Sequence, residues 1–296
     1  MKILPGMLLI CFLGFISELN AQRLIERGMI LNPLENPAID LEEEKPKWFT
    51  QVGGWASFGN YGFYGDGNHQ WYQHLGAYVE IYRRENISSL AVTSQIEFIA
   101  DPENDINFSP RAIFWEEGLL YSRKIRGSFL QIGYYHRCKH DIDNLRFEEE
   151  RTMVFGSALA RYVIPFRPGR GIDAIVALQY DHYTITWEKR TPAEFEGDSY
   201  DWSRLNQSVK LNSSIQKKVG RKTNLHLDGY TMATFFKNDF LMNAKIRTEI
   251  GSSTPIGDVR FGVHLEHLGD SGIPVQPKSV TLLGVGIRIM TPGSIR

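Results

Sequence analysis

Residues 241–267 read LMNAKIRTEIGSSTPIGDVRFGVHLEH. In the first arm, Asn243, Lys245, Arg247 and Glu249 alternate with Met242, Ala244, Ile246 and Ile250. In the second, Asp258, Arg260, His264 and Glu266 oppose Val259, Phe261, Val263 and Leu265. Side chains of an extended chain point to opposite faces with period two, so each arm is a strand with one polar and one apolar face. The connection from Thr254 to Gly257 is tight, which makes the pair a hairpin. The same alternation runs from Leu205 to Val219. Asn206, Ser208, Lys210, Asn212, Ser214 and Gln216 share one face, and Leu205, Val209, Leu211, Ile215 and Val219 share the other.

Outward from this hairpin the chain keeps a rhythm of segments joined by long, then short, then long connections. Twelve strands are predicted, at about 48–60, 70–84, 87–100, 110–124, 127–138, 150–165, 172–188, 202–218, 222–236, 241–252, 256–267 and 278–291. The tight connections are Arg84-Glu85-Asn86, Arg126-Gly127, Arg167 to Gly171, Gly220-Arg221 and Thr254 to Gly257. A half-buried soluble sheet alternates in the same way, but its strands average about five or six residues. Segments on the order of ten or more residues match tilted strands that cross a bilayer. The pattern therefore predicts an all-β fold, an antiparallel transmembrane β-barrel of about twelve strands with short turns at one rim and longer loops at the other. An even count puts both termini on the short-turn side, which is periplasmic in such barrels.

The chain has 296 residues, 12% of them aromatic, and a net charge of −1, which gives no general reason to expect nucleic acid. After the leader, no apolar run reaches the roughly 18 residues that a membrane helix needs. Lys2, the apolar run Ile3 to Ile16 and the polar Glu18 to Gln22 form a secretory signal peptide, residues 1–21, cut after Ala21. Residues 22–47 form a periplasmic lead-in with little fixed structure expected, marked by Asn32-Pro33, Asn36-Pro37 and Glu42-Glu43-Glu44. The barrel domain occupies 48–296, and the expected location is the outer membrane of a Gram-negative bacterium. Of the two cysteines, Cys11 lies in the leader, so the mature chain keeps only Cys138 and cannot form an intramolecular disulfide. The last strand has no terminal aromatic and ends in Thr291-Pro292-Gly293-Ser294-Ile295-Arg296, unlike the usual outer-membrane ending.

The charges of the polar face cannot face lipid, so they are expected to line the lumen. These are Arg137, Asp181, Lys210, Lys245, Arg247, Glu249, Arg260, His264 and Glu266. They predict a narrow polar barrel, either a small-solute channel with a charged constriction or a barrel whose charges pair and close it. His226 and Asp228 are read as one such internal pair, and Asn206 as inward-facing. The short turns are basic, with Arg83-Arg84, Lys124, Arg126 and Lys217-Lys218, and the long loops 101–105, 141–150 and 194–201 are acidic. Acidic loops admit a third role, adhesion or cation bridging to lipopolysaccharide.

The densest constellation is Tyr134-Tyr135-His136-Arg137-Cys138-Lys139-His140-Asp141-Ile142-Asp143. His136, His140, Asp141 and Asp143 are competent metal ligands, although His-x3-His gathers both rings on one face only in a helix. No cofactor is expected. In a strand, His136 and Cys138 share a face with Leu130, Ile132 and Tyr134, the lipid face, and Glu150 begins the next strand. This segment resembles the His-x-Ser and downstream Glu of outer-membrane lipid A deacylases, over about fifteen residues. The resemblance implies His136 as base, Cys138 as nucleophile in place of Ser, and Glu150 as orienting carboxylate in acyl hydrolysis of lipid. It departs also in strand number, since those barrels have eight. The run is similar, too, to a His-x-Ser-x-His segment of a poorly characterised family of outer-membrane barrels, which implies location only. The expected partners are outer-membrane lipid, lipopolysaccharide and small polar solutes.

Overall fold

In a computed structural model, residues 30–35, 46–63, 69–100, 112–141, 152–189, 205–236, 240–254, 257–269 and 279–291 are described. Their period-two segments form β1 (Lys47–Phe63), β2 (Trp71–Arg84), β3 (Ser88–Ala100), β4 (Ala112–Ile125), β5 (Ser128–Asp141) and β6 (Thr152–Gly169). The second half follows as β7 (Ile172–Lys189), β8 (Leu205–Lys218), β9 (Thr223–Phe236), β10 (Phe240–Thr254), β11 (Gly257–Leu268) and β12 (Val280–Met290). The predicted elements stand; the largest departure is β6, which runs on to Gly169 rather than stopping near 165.

Each strand pairs antiparallel with its neighbours in sequence, and β1 pairs with β12, so the sheet closes into a twelve-stranded barrel. Closure leaves no free edge among the described strands, so the ladders pair within the wall. The closing seam runs from Trp55 opposite Met290 to Phe63 opposite Leu283. An unusual C-terminus therefore does not prevent closure, because Val285, Ile287 and Ile289 still alternate with Gly284, Gly286 and Arg288. Lys47, Met290 and the tight turns share one rim. There the β6–β7 turn needs Gly171 at φ 70°, a conformation that a Cβ would strain.

The hairpin that opened the sequence reading sits as expected. Ile250, Val259, Phe261, Val263 and Leu265 are exposed on the outer wall, while Glu249, Arg260, His264 and Glu266 are buried inside. Across the rest of the barrel Leu178, Ile185, Leu211, Ile287 and Ile289 continue the outer apolar surface. One face of β8 differs from the expectation. A register shift between Leu205 and Gln207 turns Leu205 inward and leaves Asn206 exposed, because a bulge moves each side chain before it to the other face.

Aromatic rings fill the interior by lying over glycines of the wall. Trp55 covers Gly76, Tyr72 covers Gly59, and Tyr135 covers Gly118. A Cβ on Gly118 would stand 2.2 Å from Tyr135 Cδ1 and 2.6 Å from the Tyr134 carbonyl oxygen. Gly118→Ala is therefore expected to lower the unfolding free energy by about 1–3 kcal/mol through overpacking. The check is the urea midpoint of the folded, heat-modifiable band on cold gels.

The lead-in departs from the expectation of little fixed structure. Ile30, Leu31, Asn32 and Leu34 are buried, and Pro33–Glu35 forms a 3-10 turn against β3 and β4. This segment lies inside the short-turn end of the barrel. Arg83, read from sequence as part of a basic short turn, is 0% exposed and points inward to it.

Candidate functional site

Two arrangements hold the candidate residues, one inside the barrel and one on its outer wall. Inside, the alternation of β4–β7 brings Glu116, Arg137 and Asp181 together. Arg137 Nε stands 2.5 Å from Glu116 Oε2, and its NH2 3.6 Å from Asp181 Oδ1. Arg137 also donates to Ser157 Oγ at 2.8 Å and lies over the Tyr135 ring at 5.4 Å. Beside this group Arg161 donates to Gln131 Oε1 at 3.0 Å and to Gln179 Oε1. Gln179 in turn donates to Asp181 Oδ2 at 2.6 Å.

On the wall of β9–β12, Arg288 donates through Nε to both carboxylate oxygens of Glu249, at 2.8 and 3.1 Å, and through NH2 to Asp228. Arg260 NH1 lies 3.8 Å from Asp228 Oδ2 and its NH2 3.0 Å from Asp258 Oδ2. Arg247 Nε is 3.9 Å from Glu249 Oε1, and Lys245 Nζ is 2.9 Å from Glu266 Oε2. Lys210 Nζ sits 4.6 Å above the Tyr230 ring, and His264 packs edge-on against Tyr61 and Tyr72. The nine expected lumen residues thus all point inward, but not as one constriction. His264 and Glu266 lie on the β11 side, apart from the Arg137–Asp181 group, each with its own partners. His226 and Asp228 both face inward as well, yet Asp228 bonds Ser214 at 2.7 Å and the two arginines instead of making a private pair.

These contacts set Arg137, Lys245, Arg260 and Arg288 against carboxylates at close range, the condition under which buried ions are tolerated, while Arg161 is held by carboxamides. Glu116 and Arg288 were not among the residues singled out from sequence. For Arg288 a signal exists: it is the one charge of β12, and its parity with Gly284 and Gly286 puts it on the inner face.

Outside, β5 presents His136 and Cys138 away from the lumen, while Arg137 and Lys139 point in. His136 is directly opposite Glu117 of β4 and Gly156 of β6, and Cys138 is opposite Trp115. Side chains on one face of such cross-strand pairs stand about 4.5–5.5 Å apart at Cβ. Glu117 and His136 are exposed in an apolar surrounding of Trp115, Leu119, Ile132 and Tyr134. Tyr134 leans across Gly156, where a Cβ would meet its hydroxyl at 2.5 Å, and that hydroxyl lies 3.0 Å from Thr184 Oγ1. A carboxylate, an imidazole and a thiol thus share one patch. Glu117 was missed from sequence because Glu116-Glu117 offers two carboxylates and only the register decides which faces out.

Two of the four expected metal ligands, His136 and His140, stand apart. At about 3.3 Å per residue, β5 holds the His136 and His140 Cα atoms about 13 Å apart, too far for both rings to reach one ion. Among the described residues no group of three or more His, Cys, Asp or Glu converges on a common point. Asp143 and Glu150 lie outside the described residues, as do the side chain of Asp141, the acidic loops and the leader.

A scan against protein-family models finds no match, and a search of curated proteins finds none. Among solved structures the chain is similar to the beta domain of the Bordetella autotransporter Brka, at 7% identity, TM-score 0.48, over 81% of this chain and 99% of that one. It is similar to the Salmonella typhi outer membrane phospholipase dimer with bound calcium, at 14% identity, TM-score 0.47, over 89% and 98%. It is similar to LpxR from Salmonella typhimurium, at 8% identity, TM-score 0.44, over 80% and 99%. At such identities and scores no activity and no residue role passes from these proteins to this chain.

Proposed function

We propose that this chain is an outer-membrane β-barrel closed by its own interior, which acts through its surfaces rather than as an open solute channel. Support for the membrane comes from the outer wall, where Leu, Ile, Val, Phe and Tyr stand exposed on strand after strand. Water disfavours a continuous apolar surface of this extent, and lipid accepts it because the closed sheet presents no open strand edge. No described helix is long and apolar enough to cross a membrane. The basic short turns and both strand termini then belong to the periplasmic side, and the acidic loops to the lipopolysaccharide side.

The observation that carries the closed reading is the burial of the interior guanidinium groups. Arg83, Arg161, Arg260 and Arg288 are 0, 2, 1 and 2% exposed. A water-filled lumen would wet these groups first. Purified barrel in planar bilayers is therefore expected to give no steady ohmic current. A reproducible conductance that follows the barrel's concentration would sink the closed reading and restore the small-solute channel.

A second reading is acyl hydrolysis of membrane lipid, favoured by the patch of Glu117, His136 and Cys138 on the outer wall. His136 would take the Cys138 proton, and the thiolate would attack an acyl ester carbonyl. The alcohol leaves with that proton, and water then frees the fatty acid from the thioester and restores the thiol. Glu117 would orient His136 and balance its charge. The placement predicts that a lipophilic maleimide labels Cys138 in intact cells and a bulky impermeant one does not. Labelling by the impermeant reagent would put the thiol in water and remove this reading.

A further inference from the structure

We propose that the short-turn end of the barrel is a peptide-binding site, and that its resident ligand is the chain's own segment Ile30–Glu35. This goes beyond the closed-barrel reading and does not depend on whether the barrel conducts.

The segment is held as a ligand is held, by side chains of the wall rather than by strand pairing. Gln51 Nε2 donates to the Pro33 carbonyl at 2.9 Å, and Arg83 NH1 donates to the same oxygen at 3.1 Å. Arg83 NH2 lies 3.5 Å from the Leu34 carbonyl, and Gln131 Nε2 donates to the Leu31 carbonyl at 2.8 Å. Three carbonyls from four residues thus meet a guanidinium and two carboxamides, which read backbone shape and not ligand charge. The apolar side chains divide between two walls. Ile30 and Leu34 cluster with Phe129, Val163, Ile175 and Ala177. Leu31 turns the other way, into a cluster with Trp55, Tyr78, Leu120 and Tyr135. A short stretch with Leu before Asn-Pro-Leu therefore bridges the barrel, with Pro33 fixing the bend.

The donors are held by the wall as well as by the segment. Arg83 also donates to the Glu85 carbonyl at 2.9 Å and to Asn86 Oδ1 at 3.1 Å, and Glu80 stands 3.4 Å from NH1. Glu80 itself accepts from Thr50 and Ser89. Gln131 donates also to Ser122 Oγ at 3.0 Å and accepts from Arg161 at 3.0 Å. Preorganised donors of this kind lower the ordering cost of a bound chain. The segment itself is not fully satisfied, because both polar atoms of the Asn32 side chain are buried without a hydrogen-bond partner. Burial of such groups costs free energy that release to water would return.

The test uses the full chain, folded intact, with a protease recognition sequence in place of Glu42–Glu44. After cleavage, the fragment bearing residues 30–35 is expected to stay with the barrel on a sizing column and to exchange slowly with an added fluorescent peptide spanning residues 28–36. The same peptide carrying Leu31→Asp is expected to compete on the order of a hundredfold less well, since it must bury a charge. In the barrel, Gln131→Ala is expected to weaken binding about tenfold. Because the peptide variant leaves the barrel untouched, failure to fold cannot mimic its effect. A fragment that never exchanges would show a permanent core element and overturn the proposal. Loss of the fragment on cleavage with no rebinding of peptide, or equal competition by the Leu31→Asp peptide, would overturn it as well.

Discussion

Arg288→Ala is expected to lower the stability of the folded barrel by about 3–5 kcal/mol, read from urea unfolding in lipid vesicles. The magnitude follows from what is left behind. Arg288, 2% exposed, donates to both oxygens of Glu249 and to Asp228. Without it Glu249 keeps only Arg247 at 3.9 Å, and Asp228 keeps Arg260 at 3.8 Å with Ser214. A buried carboxylate with so little compensation costs far more than the attraction that the intact pair contributed. Two controls separate this mechanism from loss of packing. Arg288→Met keeps most of the volume and is expected to cost nearly as much as Arg288→Ala. Adding Glu249→Leu to Arg288→Met should recover much of the loss, since it removes the orphaned charge. The exposed pair Arg167–Asp173 has a shorter contact than those that remain, 2.9 Å, but its side chains are 83 and 39% exposed. Arg167→Ala is accordingly expected to change stability by less than about 1 kcal/mol. Equal effects at Arg288 and Arg167 would refute the account of the interior as a set of mutually neutralised buried charges.

The wall of the barrel was legible in the sequence because its physics is local. In β10 and β11 polar and apolar residues alternate with few breaks, at Leu241, Thr248 and Gly262, and Thr254 to Gly257 is short, so strand, hairpin and inner face all follow from one period. Where a strand carries apolar residues on both faces, the period says less. In β4, Phe114 and Leu120 point in while Trp115 and Leu119 point out, so nothing in Glu116-Glu117 says which carboxylate is interior until the β5 register is known. In β8 one extra residue moved Leu205 and Asn206 to faces that the alternation had not given them. The N-terminal segment was illegible for a different reason. Ile30-Leu31-Asn32-Pro33-Leu34 is too short to show a period, and two Asn-Pro steps with three glutamates behind them have the composition of a linker. Its partners, Gln51, Arg83 and Gln131, lie on three different strands, and only barrel closure brings them to one point.

Glu117→Leu is expected to act in two opposite directions, raising stability by about 1 kcal/mol and abolishing acyl release from phospholipid or lipopolysaccharide vesicles. The first effect follows from position. Glu117 is exposed on an outer wall where Trp115, Leu119, Ile132 and Tyr134 are 42, 48, 52 and 43% exposed, so lipid is its environment. A carboxylate there is a burden on the fold, and leucine would fit the surrounding surface better. Directly across from it stands His136, with Cys138 beyond on the same face, the set that acyl hydrolysis would use. If the three act as one unit, Glu117→Leu, His136→Leu and Cys138→Ala should each reduce acyl release to background, and the triple variant should be no worse than any single one. Stability should respond differently: Cys138→Ala is close to neutral, whereas Glu117→Leu and His136→Leu, directly opposite across β4 and β5, are expected to be non-additive if the three act as one unit. Should Glu117→Leu destabilise the barrel, the patch is an ion pair that holds β4 to β5, and the hydrolase reading falls. Should the wild-type barrel release no acyl chain from either lipid while Glu117→Leu still stabilises it, the burden on the fold serves another use of the same outward face.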